Sequence, residues 1–121
     1  MDLRKVWEQR APQWRNWART LGHDAYWAYA GSFFATIVPS DPGYVLEIGC
    51  GEGRVAQEAA AFDDFSTYLV TDAMALPFTD ESFDTVVSYN SLMDLNDMKE
   101  GVLQAARVLK PAGRFCICII R

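Results

Sequence analysis

One stretch constrains the fold more than any other: Tyr44 to Arg54, YVLEIGCGEGR. A short apolar run that halts at glycines is the pattern of a strand buried on both faces. The run RVAQEAAAF (Arg54 to Phe62) is helical, so the unit reads strand, tight turn, helix. Glycines are needed in such a turn where the backbone bends sharply or a ligand touches the main chain. The alternation continues. STYLVTD (Ser66 to Asp72) reads as a short strand, PFTDES as a loop and FDTVVSYN (Phe83 to Asn90) as a strand. Asp97 to Leu109 reads as a helix with Val102, Ala105, Ala106 and Leu109 on one face, ended by KPAG. RFCICII is a final strand. Strands alternating with helices of this length imply right-handed crossovers and a parallel sheet. Ligands in such sheets lie beyond the C-terminal ends of the strands.

The first forty residues carry a different pattern. Leu3, Trp7, Trp14, Ala18 and Leu21 recur at helical spacing, with Pro12 expected to break or restart the helix. A second helical segment runs from Asp24 to Val38, with Tyr26, Trp27, Tyr29, Phe33 and Phe34 spread nearly all round it, and PSDPG ends it. The organisation expected is a single domain: a helical lid over residues 1–40 and an α/β core over 44–121.

Bulk properties set the outer bounds. A chain of 121 residues with 50% apolar and 22% charged residues is long enough for one core. The net charge is −5 and the basic residues are scattered, which argues against nucleic acid or an anionic membrane as partner. Apolar runs are too short to span a bilayer and MDLRKVWEQR lacks a signal core, so a cytoplasmic location is expected. Cys116 and Cys118 lie two apart on a strand and face the same side, and with Cys50 read as free thiols; no metal site is expected.

The glycine loop reads Glu47, Gly49, Gly51, Gly53, the pattern acid-x-G-x-G-x-G. A βα turn without ligand is one reading. A dinucleotide site is another, but that fingerprint wants glycine where Arg54 stands. The motif resembles motif I of class I S-adenosylmethionine-dependent methyltransferases. The likeness continues through TDAMALPFTDESFDTVVSYNSLMDL and ARVLKPAGRF, and WARTLGHDAYW is similar to the N-terminal lid of bacterial small-molecule members. The resemblance implies a Rossmann-like α/β fold and S-adenosylmethionine as cofactor. It implies that Glu47, Gly49, Cys50, Gly51 and Gly53 line the methionine end, that Asp72, Ala73 and Met74 meet the adenosine half, and that Tyr89 and Asn90 lie near the methyl group.

Measured against that family, the sequence is expected to lack one βα unit between Gly53 and Asp72 and the strands after the fifth. The strand ending at Asp72 resembles the family's third by its downstream neighbours, DAMALPF and SFD. By its distance of 19 positions from Gly53 it is the second, whose acid binds ribose. The expected sheet therefore has about four mostly parallel strands in the family order second-first-fourth-fifth, truncated and covered by helices on both faces. The apolar Phe115–Ile120 edge, or exchange of the N-terminal helices, is expected to make a homodimer.

Other residues admit two readings each. His23 is a general base or a helix cap; Asp80, Glu81 and Asp84 are a carboxylate group or a solvated turn; Met74, Met93 and Met98 flank a ligand or fill the core. Trp7, Trp14, Trp17 and Trp27 belong to the core or to an aromatic lid. The function expected is methyl transfer from S-adenosylmethionine to a small molecule. The rivals are a non-catalytic remnant that self-associates and binds a nucleoside weakly, and a dinucleotide-binding domain.

Overall fold

The computed structural model describes residues 1–20, 32–33, 36–49, 69 and 71–119. Helix α1 spans Leu3–Arg19, β1 Val45–Ile48, β2 Phe83–Tyr89, a 3-10 turn Leu92–Asp94, α2 Met98–Val108 and β3 Leu109–Cys118. The three strands form one parallel sheet in the order β1-β2-β3. In family terms this is first-fourth-fifth, as expected. Parallel pairing demands cover on both faces, and both faces have it. On one side Ile48, Leu76 and Val86 pack with Ala105 and Val108 of α2. On the other, Val87 and Cys116 pack with Phe33, and Val38, Tyr89 and Cys118 gather round them. Cys116 and Cys118 thus share one face as free thiols, and burial pushes both above the usual thiol range.

Four expectations change. First, α1 runs through Pro12 without a break. Proline inside a helix costs about 3 kcal/mol or more. The partly buried face of α1 continues on both sides of it, and the rings of Trp7 and Trp14 meet edge to face at 5.9 Å. Second, the buried face of α2 is Gly101, Ala105 and Val108, while Val102 and Ala106 are exposed. Gly101 lies on this face with Leu95 Cδ1 packed where its Cβ would be. Third, KPAG does not end α2. Leu109 already pairs with Phe83, and β3 advances five residues to Arg114 while β2 advances two to Thr85. The excess bulges at Ala112 (φ 64°) and Gly113, the latter pressed between Lys110 O and Asp84 O. Fourth, the described sheet has three strands rather than four. Of the strand expected over Ser66–Asp72, the described residues Leu69, Thr71 and Asp72 are not in a strand, and the rest lies outside the described residues. The helix expected over Arg54–Phe62 also lies outside them, as does most of Asp24–Val38, of which Ser32, Phe33 and Thr36 are helical.

The start of α1 is tied to the exit of β2. Leu3 N donates to Asn96 Oδ1 at 2.7 Å, and Asn96 Nδ2 donates to Asp2 Oδ1 at 3.0 Å. Burial pushes the Asp94 carboxyl upward, with Trp7 acting in the opposite direction. The N-terminal helix therefore begins at the C-terminal rim of the sheet, where a parallel sheet takes its ligand.

Candidate active site at the C-terminal rim

Glu47 sits on β1 opposite Val87 of β2. Leu46 and Ile48 face the α2 side. Alternation along the strand sends Glu47 to the opposite side, that of Phe33, Val87 and Tyr89. Desolvation there raises its carboxyl from 4.5 to about 7. Among the described residues it forms no ion pair. A positive charge nearby would favour the ionised form of a carboxyl held this way.

Gly49 comes two residues later at φ 73°, in the left-handed region. A Cβ at Gly49 would run into Cβ and Oγ of Ser91. Ser91 Oγ donates to Ile48 O at 2.9 Å and lies 2.8 Å from Ser88 Oγ. Asn90, at φ 54°, donates its N–H to Cys118 O at 2.6 Å. These bonds join the exits of all three strands. Tyr89 stands beside Phe33, ring centroids 5.3 Å apart.

The Asp72 segment reaches the same rim from the α2 side. Asp72 Oδ1 accepts from Met74 N at 2.8 Å and Asp72 O from Ala75 N at 2.9 Å, which closes a turn. Ala73 packs on the cluster containing Ile48. Met74 Sδ accepts from Asp97 N at 3.2 Å, at the start of α2. The structure thus brings Glu47, Gly49, Ala73, Tyr89 and Asn90 to one end of the sheet, with Asp72 and Met74 in the adjoining turn. Cys50, Gly51, Gly53, His23 and Trp27 lie outside the described residues. Asp80 and Glu81 are exposed loop residues, and Asp84 lies at the opposite end of β2. Met74 and Met93 are partly buried and Met98 is exposed.

Sequence reasoning missed Ser91 and Ser88. Their signal was two hydroxyls three positions apart at a strand exit, which becomes legible only once β1 is known to pair there. Residues 56–117 match the family described as "Methyltransferase domain". The chain belongs to the class I S-adenosylmethionine-dependent methyltransferases. It is 31% identical over 121 aligned positions to a demethylmenaquinone methyltransferase of Mycobacterium sp. (strain JLS), with 85% of this chain and 52% of the relative covered. It is 40% identical over 65 positions to a ubiquinone/menaquinone biosynthesis C-methyltransferase of Dinoroseobacter shibae, covering 54% of this chain and 26% of that one. The chain thus spans about half or less of these relatives' length. A solved SAM-dependent methyltransferase from Thermotoga maritima superposes with a TM-score of 0.69 at 23% identity, over 88% of this chain and 56% of that one, and shows the shared fold. Among the described residues no helix is long and apolar enough to cross a membrane.

Proposed function

We propose that this methyltransferase chain binds S-adenosylmethionine at the C-terminal rim and directs its methyl group to a small molecule. The observation that carries the reading is Glu47, a desolvated carboxyl two residues before a left-handed glycine packed against Ser91 at the exit of β1. A cationic ligand matches that carboxyl, whereas a dinucleotide pyrophosphate would meet a like charge there. When bound, S-adenosylmethionine supplies an electrophilic methyl on a cationic sulfur. Glu47 would balance the ligand's positive end. The backbone at Gly49 would lie against it. Asp72, with Oδ1 engaged by Met74 N–H, offers Oδ2 to a ribose hydroxyl. Tyr89 and Asn90, at the exit of β2, would border the acceptor. Positioning of this kind supplies much of the acceleration in a displacement. The quinone-pathway names of the relatives support a small-molecule acceptor.

Calorimetric titration of the chain tests the reading. S-adenosylmethionine and S-adenosylhomocysteine are expected to bind and NAD is not. Binding of NAD alone, or of none of the three, would remove it. We also propose that the chain self-associates along β3, one of the two outer strands among those described, where Ile117 and, just past the strand, Ile119 are 41% and 43% exposed. Light scattering should then give twice the chain mass at micromolar concentration, and a monomer would overturn this.

A further inference from the structure

Arg107, one residue before the end of α2, reaches across the loop beyond the Asp72 turn. Its Nη2 donates to Leu76 O at 2.8 Å and to Gln104 Oε1 at 2.9 Å; its Nη1 donates to Phe78 O at 2.7 Å and to Asp80 Oδ1 at 2.9 Å. Gln104 turns the same way, its Oε1 accepting from Leu76 N at 3.1 Å. The helix backbone closes the far end: Glu81 N donates to Arg107 O at 3.0 Å and Ser82 N to Val108 O at 2.8 Å. These bonds also satisfy carbonyls that a helix end leaves without intrahelical partners.

The ion pair to Asp80 counts for little, because that side chain is 74% exposed. The two charge-assisted bonds to backbone carbonyls matter more. They are not what docks α2, since Ala105 and Val108 do that from the buried face. Their work is to hold the loop, and the loop begins where the Asp72–Ala75 turn ends.

We infer that Gln104 and Arg107 are positioning residues for the cofactor: they hold Leu76 and Phe78, and through them the Asp72–Met74 turn, in the conformation that receives the adenosine half. The inference rests on the functional reading of that turn proposed above. Neither residue touches the proposed ligand; both act through the main chain.

Amide hydrogen exchange on the full chain, run beside titration with S-adenosylhomocysteine, separates the two claims. Arg107→Met and Gln104→Leu should speed exchange at Met74, Ala75 and Leu76 by roughly tenfold or more and weaken S-adenosylhomocysteine by about the same factor. Amides of Val86 and Val87 in β2 should stay protected. Gln104→Glu keeps the acceptor for Leu76 N–H and should restore both. Arg107→Lys keeps the charge but cannot span two carbonyls and should fall between. Unchanged exchange at the three amides in a folded variant overturns the inference. So does faster exchange with undiminished affinity. Loss of β2 protection in Arg107→Met and Gln104→Leu would show that the pair serves the fold as a whole, which also overturns it. A parent chain that does not bind S-adenosylhomocysteine, with the amide effect present, strikes the proposed function and leaves the loop-holding role standing.

Discussion

Strand β1 is bracketed by two glycines in the same conformation, Gly43 at φ 66° and Gly49 at φ 73°. Each is pressed against a side chain at one end of β2: Gly43 against Asp84, Gly49 against Ser91. The backbone device is the same and the charge environment is opposite. At Gly43 the carboxylate is supplied with partners. Tyr44 N donates to Asp84 Oδ2 at 2.8 Å, and Lys110 Nζ lies 3.3 Å from Oδ1 and 5.4 Å from the centre of the Tyr44 ring. The Tyr44 N–H, with the Lys110 contact behind it, lowers the Asp84 pKa. At Gly49 the neighbouring carboxyl, Glu47, is desolvated and raised to about 7. A closed ring of partners marks a joint that holds the strands. A carboxyl that has no countercharge among the described residues supports the binding site proposed there.

The widest separation between the two ends should come from Gly49→Val. Left-handed strain costs about 1–2 kcal/mol, and collision with Ser91 adds roughly 1–3 kcal/mol of overpacking. Thermal melting should report the loss, and titration should show that S-adenosylhomocysteine no longer binds. A variant that binds like the parent would place the ligand elsewhere.

Next comes the pH dependence of Glu47. Its folded-state pKa, about 7, lies above the ordinary glutamate value of 4.5, so the folded chain holds a proton that the unfolded chain has released. Stability is therefore fullest below 4.5 and declines as pH rises to about 7, by up to roughly 3 kcal/mol, then levels off. Glu47→Gln should flatten that decline in urea melts. Binding should run the other way: affinity for S-adenosylmethionine rises with pH up to about 7, and Glu47→Gln removes the slope. A pH-independent affinity in the parent would deny Glu47 a role with the cation.

Gly43→Ala should rank third. It carries the same left-handed strain, about 1–2 kcal/mol, and its Cβ also displaces the Asp84 carboxylate, with no change in ligand affinity once binding is measured well below the melting temperature. Lost affinity here would erase the contrast between the two ends. Asp84→Asn should do least. The depressed folded-state pKa means that Asp84 stabilises above its unfolded value and that this is lost as pH falls through the folded value. The substitution should abolish that acid sensitivity, bring neutral-pH stability down modestly toward the parent's acid-side level, and leave ligand affinity unchanged.

The parts of this molecule that were legible in the chain are those carried by local pattern. FDTVVSYN lies between turn residues and became β2 with its bounds shifted by one residue. Asp97 stands where an N-cap belongs, and its side chain accepts from Glu100 N. The parallel sheet and its order came from alternation and crossover geometry. Glu47 and Gly49 were legible as a motif. What the motif did not contain was Ser91, which lies 42 positions after Gly49 and meets it only because β1 pairs with β2. Nor did it contain Arg107, whose four partners span residues 76 to 104.

The errors have one origin. Periodicity placed Val102, Ala105, Ala106 and Leu109 on the buried face of α2, but a helix with apolar residues on more than one side can rotate. The packing of Ala105 and Val108 into the sheet core, with Gly101 against Leu95, gives the rotation observed. Pro12 was read by its local cost, and a helix face shared by Trp7 and Trp14 outweighed it. Residue order over short spans is enough to establish the family, the parallel α/β plan and the acid-glycine rim, because each of these is written in neighbouring positions. The buried face of α2, the entry of KPAG into the third strand, and the side chains that hold the strand exits and the Asp72 turn were settled in three dimensions. They depend on contacts between residues tens of positions apart, whose energies exist only after the sheet has brought them together.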